Sequence, residues 1–132
     1  MERYSTLLTY IWNLTKTEIQ SEITGNVYKK VRPVSSQVED CVISIINGFT
    51  AKFVQNGAVY IKIFYKDVLS ENTYFEDTEK SAVFETILFN LSNKLLVQNF
   101  IVFDIKSREI YSEPVNETNE HYCILKLNFK NH

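Results

Sequence analysis

The stretch that decides the fold is Glu39 to Asp67, EDCVISIINGFTAKFVQNGAVYIKIFYKD. Cys41, Ile43 and Ile45 alternate with Val42, Ser44 and Ile46, and Val59, Ile61, Ile63 and Tyr65 alternate with Tyr60, Lys62, Phe64 and Lys66. A period of two in β-branched and aromatic residues predicts pleated strands with one face buried. Lys62 and Lys66 put the other face of the second strand at least partly in water. Asn47-Gly48 and Asn56-Gly57 lie between the two runs and are favourable turn dipeptides. The reading is therefore two central strands of an antiparallel sheet, joined by a long turn region. Phe49 to Gln55 reads equally as a short strand leading into a tight turn at Asn56-Gly57 or as a projecting loop.

Upstream, Ser5 to Ile19 carries Leu7, Leu8, Ile11, Leu14 and Thr15 at helical spacing, with Tyr4 a turn earlier and Ser5 as the expected N-cap. Trp12 flanks this stripe and is expected to extend the buried face. Val27 to Val31 is a short strand, ended by Arg32-Pro33, and Val34 to Val38 is a connector. Downstream, Asp67 to Asp77 reads as a polar connection. A helix follows over Thr78 to Val97, capped by Asp77 or Thr78, with Val83, Ile87, Leu91 and Leu95 as its apolar stripe, widened by Phe84, Leu88 and Val97. Phe100 to Ile105 is a strand, Lys106 to Glu109 a turn or charged bend, Ile110-Tyr111 a resumption, and Glu113 to Glu120 a polar loop. The last strand is His121 to Phe129, with Cys123, Leu125, Leu127 and Phe129 on one face. The expected fold class is α+β, an antiparallel (mixed) β-sheet of about five strands packed by two helices, in the order α-β-β-β-α-β-β.

The 132 residues are expected to form a single domain, 1–132, since a second core would have too few residues. Three glycines and two prolines argue against a loop-rich chain, and the formal net charge of −2 argues against nucleic-acid binding through a large phosphate footprint. The basic clusters Lys29-Lys30-Arg32 and Lys126 to Lys130 read as solvated strand ends. Cys41 and Cys123 sit in apolar strand patterns without neighbours at zinc spacing. They are expected to be reduced and buried, a disulfide being open to them only if their strands are adjacent. No secretory signal or transmembrane run is legible. His121 and His132 have no nucleophile and orienting acid nearby in sequence, and Glu39-Asp40 and Glu76-Asp77-Glu79 are explained by strand starts and helix capping. No phosphate loop or dinucleotide fingerprint is present. The expectation is no enzyme, no metal and no cofactor.

Gly25, Val27-Tyr28, Arg32-Pro33, Ser36, Glu39-Asp40-Cys41-Val42-Ile43, Gly48, Gln55, Gly57 and Val59 resemble small virion proteins of phages and prophages from Bacteroides-type hosts. The element order is similar to that of tail-completion and tail-terminator proteins of tailed phages. The resemblance covers about a third of the chain in motif and nearly all of it in element order. It implies a structural subunit of a homo-oligomeric ring, about six- or twelve-fold, at the head–tail (portal–tail) junction. Its partners would be neighbouring connector or portal proteins and tail ring proteins. DNA would pass through the channel without sequence-specific binding, and no membrane is involved. The localisation implied is the virion, assembled in the host cytoplasm. On this sequence the candidate interface residues are Arg32, Pro33, Ser36, Glu39 and Asp40 in the connector, and Gly48, Phe49, Lys52, Phe53, Gln55, Asn56 and Gly57 in the projecting segment. The alternative is a small ligand-binding or adaptor domain, with a pocket between the sheet and the second helix near His121, Glu39 or Asp40, or with an exposed strand edge that docks a partner.

Overall fold

The computed structural model describes residues 2–50, 53–96, 103–115 and 118–131. In chain order the elements are α1 (Glu2–Ile19), a 3-10 turn (Gln20–Glu22), β1 (Val27–Lys29), β2 (Cys41–Thr50), β3 (Phe53–Lys66), β4 (Val68–Ser70), β5 (Thr73–Phe75), α2 (Thr78–Leu96), β6 (Phe103–Val115) and β7 (Glu120–Asn131). Five strands make one mixed sheet in the order β1-β2-β3-β7-β6, with only β1 running parallel to its neighbour. The fold is α+β, with two helices and this sheet, as the alternation and the helical stripes predict.

The alternation decides which face is buried. Cys41, Ile43, Ile45, Val59, Ile61, Ile63, Tyr65, Cys123, Leu125 and Leu127 share one cluster with Leu8, Ile11 and Ile19 of α1 and Phe84, Leu88, Leu91 and Leu95 of α2. α1 lies on β1 and β2, and α2 on β7, β6 and β3. The opposite face carries Tyr60, Lys62, Phe64, Tyr122 and Lys126, all half-buried. There Lys62 lies over the Tyr122 ring at 4.6 Å and Phe64 meets Tyr122 edge to face at 5.5 Å. Trp12 packs against the core from its flank, and its indole Nε1–H donates to the Val27 carbonyl at 3.0 Å, tying α1 to β1.

Several boundaries differ from the sequence reading. α1 begins at Glu2, so Ser5 lies inside it rather than at its cap. Asp77 caps α2, its carboxylate accepting from the Lys80 amide at 3.1 Å. Val83 is exposed, whereas Phe84, Leu88, Leu91 and Leu95 of the expected apolar face are buried and Ile87 packs against them. Asn47-Gly48 and Asn56-Gly57 are not turns. They face each other across β2 and β3, as Asn47↔Gly57 and Gly48↔Asn56, and pairing continues to Thr50↔Phe53. On its other side β3 pairs with β7 through Gly57↔Phe129 and Asn56↔Lys130. That ladder outweighs the local turn preference. Val97 and Lys52 lie outside the described residues.

Lys106 to Glu109 and Glu113 to Val115 belong to β6, which passes the charged bend through an irregularity between Ile105 and Ser107. Pro114 is tolerated because β6 is an edge strand. Asp67 to Asp77 is a hairpin rather than a plain connection, β4 pairing with β5 from Val68↔Phe75 to Ser70↔Thr73. Its turn residues Glu71 and Asn72 have φ of 49° and 66°. Two consecutive positive values mark the turn whose twist matches that of paired strands.

Cys41 and Cys123 are free, fully buried, and on strands separated by β3, in the row Cys41↔Ile63↔Cys123. Two strand spacings, about 10 Å, are too far for a disulfide. Burial pushes both thiols up, Cys123 to about 12. In the native protein neither should react with a thiol reagent such as Ellman's over minutes, and both should react once urea unfolds the chain. Fast native labelling would contradict the buried placement.

Candidate functional site

β2 begins, β3 ends, β7 begins and β6 ends at the same end of the sheet. The connector of residues 30–40, the β4–β5 hairpin and the turn at Thr118-Asn119 gather there. Two charged clusters hold this end in shape.

The first cluster is built on Arg32. Its Nε–H donates to Asp40 Oδ2 at 2.9 Å, Nη1 and Nη2 donate to the two oxygens of Glu120 at 3.2 and 2.9 Å, and Nη2 also donates to the Val38 carbonyl at 2.7 Å. Four directed bonds use the planar fork of the guanidinium, which an ammonium could not reproduce. The group also stacks on Phe64, 4.3 Å from the ring centre. Burial pulls the Arg32 pKa down, but the bonds to Glu120 and Asp40 outweigh it and the net direction is up. Asp40 is fully buried and also accepts from the Ser36 hydroxyl and the Asn26 amide. Gly25 lies against it, its amide donating to the Glu39 carbonyl at 2.8 Å. Glu39 reaches the other way, accepting from Lys80 of α2 at 2.8 Å.

The second cluster sits at the roots of the hairpin. Asp67, just before β4, accepts from His121 Nδ1 at 2.6 Å, and its amide donates to the Asn119 carbonyl at 2.9 Å. Glu76, just after β5, accepts from the Tyr65 hydroxyl at 2.6 Å, and its other oxygen lies 3.9 Å from His121 Nε2. Burial first, and then the bond to Glu76, push the Tyr65 hydroxyl up. The same bond is the main cause holding the Glu76 carboxyl below its usual range. Glu76 therefore contributes stability present above its unfolded pKa and lost as pH falls through the lower folded value.

Between the two clusters lie two shallow depressions. One, of about 460 Å³, is lined by Ser35 and Ser36 of the connector, Tyr74 of the hairpin, and Thr118, Asn119 and Glu120. The other, of about 420 Å³, lies between the connector and the start of α2, with Glu39, Asp77 and Lys80 in its wall. Around them the connector and hairpin expose apolar side chains. Val31 is 73% exposed and Val34 96%, while Leu69, Tyr74 and Phe75 are each about half exposed, at 56%, 49% and 57%. The interface between the sheet and α2 is packed by Phe84, Leu88, Leu91 and Leu95.

The candidate residues thus fall into two groups. Arg32, Ser36 and Asp40 are brought together, but as a partly or fully buried network rather than as a contact surface, and Glu39 is tied to α2. Pro33 is exposed on the connector. Gly48, Phe49, Phe53, Gln55, Asn56 and Gly57 lie at the far end of β2 and β3, about 30 Å away along ten strand residues. There the pairs Phe49↔Val54 and Thr50↔Phe53 extend past the last β3–β7 pair at Asn56. Glu120, Asp67, Tyr65 and the hairpin's apolar residues were not anticipated as site residues. VLS and TYF around Glu71-Asn72 do carry a signal: two short runs of strand formers flanking a two-residue turn. No family model matches the chain, and no curated protein matches it.

Proposed function

We propose that this chain is a non-enzymatic structural subunit of a larger assembly. The sheet end bearing the connector and the β4–β5 hairpin is the surface that meets a neighbouring protein. The observation that carries this is that the connector and the hairpin, which wall one depression through Ser35, Ser36 and Tyr74, both expose apolar side chains, Val31 and Val34 on the first and Leu69, Tyr74 and Phe75 over the two faces of the second. Exposed apolar side chains grouped in this way mark interaction surfaces, and aromatic residues supply much of the energy of such contacts. A buried ion network holds the connector in place, so little of its ordering would be left to occur on docking. The more specific assignment is a ring protein joining the portal side of a tailed-phage head to its tail. It rests on the resemblance of Gly25 to Val59 and on the element order. Candidate contacts at both ends of the long strands suit a subunit with a neighbour on each side.

Light scattering across a concentration series tests this. A ring-sized species is expected, either alone or on addition of the partner ring. Tyr74→Ala with Phe75→Ser should weaken that association by about 30-fold, the effect of losing about 2 kcal/mol of anchor contacts, while leaving the fold intact. Association unchanged by the double substitution would remove the hairpin from the interface, and a monomer alone and with the partner ring would remove the ring reading. A second reading is a small polar ligand in the 460 Å³ depression, whose size falls in the usual range for ligand sites. Ligand-dependent thermal stabilisation without any association would favour it.

A further inference from the structure

We propose that the outer edge of β6 takes up an extended acidic segment of another protein as an added strand, the carboxylate of that segment being bound by Arg108. The contact lies along the side of the sheet, apart from the docking end proposed above, and does not rest on it.

Arg108 is a cation without an anion. Its Nη1 donates to Ser92 Oγ at 2.9 Å and to Asn93 Oδ1, and its guanidinium lies over the Phe89 ring at 4.4 Å. Ser92 is itself fully buried. Three contacts from α2 thus fix the group while occupying one of its nitrogens. The edge formed by Nε–H and Nη2–H is the one that matches a carboxylate in a bidentate pair. Among the described residues that edge has no acceptor, and no carboxylate lies within ion-pair reach of it. Arg32, by contrast, engages both Asp40 and Glu120.

The backbone beside Arg108 is open as well. The Phe64 amide donates to the Asp40 carbonyl, which turns the even residues of β3 toward β2. Bonded and non-bonded pairs alternate along an antiparallel ladder. Ile63↔Cys123 and Ile61↔Leu125 are therefore bonded pairs of β3 with β7, and Tyr122↔Glu113, Ile124↔Tyr111 and Lys126↔Glu109 are those of β7 with β6. Arg108, Ile110 and Ser112 point their amides and carbonyls the other way, to the side where no described strand pairs with β6. Pro114 stands in the same phase without an amide hydrogen and ends the run. A free edge of this kind is a template for an added strand.

The side chains set the chemistry of that strand. Ile110 packs against the core, so Arg108 and Ser112, two residues to either side, share its face of the sheet. An antiparallel guest would set one residue opposite Ile110 and, two residues later, another opposite Arg108 on the same face. The open fork fits that second residue to Glu or Asp. A second copy of this chain does not supply it from an edge strand. β1 and β2 hold no acidic residue, and β6 beyond its irregularity offers only Arg108, Ile110, Ser112 and Pro114 in that phase. The guest is thus a segment of a different protein.

The test is titration of the protein with the blocked peptide acetyl-Thr-Thr-Val-Thr-Glu-Thr-Thr-amide, which places Val opposite Ile110 and Glu opposite Arg108. Binding with a Kd below about 1 mM is expected. It should slow hydrogen exchange at the amides of Arg108, Ile110 and Ser112 and leave 109, 111 and 113, already bonded to β7, as they were. Replacing the peptide's Glu with Gln should weaken binding about tenfold. Arg108→Gln should weaken the Glu peptide by the same factor and erase the difference between the two peptides. A control needs no variant of the protein: methylating the Val amide, which faces β6, should abolish binding, and methylating the next Thr amide, which faces away, should not. No binding at about 1 mM, equal binding of the Glu and Gln peptides, or protection away from β6 would each overturn the proposal.

Discussion

Replacing Arg32 with alanine is expected to lower stability at neutral pH by about 3–5 kcal/mol, read as a lower urea midpoint at unchanged slope. The cost does not come from losing an attraction alone. Two acids, Asp40 with no exposed surface and Glu120 nearly buried, would be left without their cation, and the Val38 carbonyl would lose its donor. A buried ion pair contributes little net stability as a whole, but removing one member leaves an uncompensated charge in a poor solvent. Arg32→Lys should recover little, because one ammonium cannot address Asp40, Glu120 and Val38 together. A loss below about 1 kcal/mol, in the range of a surface ion pair, would show that the cluster is solvated rather than structural.

The second large effect is expected at Gly25. It does not use the freedom of glycine to turn the chain, since no described glycine has a positive φ. It is needed for close approach. A Cβ there would stand 2.1 Å from Asp40 Oδ1, 2.5 Å from the Glu39 carbonyl oxygen and 2.9 Å from Val38 Cγ2. One of these atoms is backbone and another is fixed in the buried network, so neither can swing aside. Gly25→Ala should cost about 3 kcal/mol, the upper part of the range for overpacking, and should disturb the Arg32 cluster as it does so. Combining it with Arg32→Ala tests the link. The two losses should be clearly less than additive, because both act on Asp40. Strict additivity would place the Gly25 effect elsewhere.

The core was legible because it is periodic. Ile43, Ile45, Ile61, Ile63, Leu125 and Leu127 read as one face from alternation alone, and that face is the buried one. The helices were legible for the same reason, although Val83 of the expected α2 stripe is exposed. Turns were less legible, because Asn-Gly dipeptides state a local preference and a strand paired on both sides overrides it. Only pairing with β7, which the sequence does not show, turns Asn56-Gly57 into strand. The site was legible in part. Arg32, Ser36 and Asp40 stood out as neighbours in sequence, but Glu120, 88 residues from Arg32, could not be joined to them without the fold. His121 was visible only as a lone histidine, because its partners arrive from the two flanks of a hairpin.

The order of the strands has a mechanical consequence. The chain makes two local hairpins, β2 with β3 and β6 with β7, and each half carries its own helix. Within the sheet the halves meet along one seam, the eleven residue pairs from Asn56↔Lys130 to Lys66↔Glu120. Arg32 crosses that seam at one end by gripping Glu120. A pull along the strands would load all the hydrogen bonds of the seam together, in shear. A pull across them would part them one at a time, like a zip, starting from whichever end is not locked. A subunit that must carry tension between two neighbours would resist it best when mounted with its long strands along the line of force.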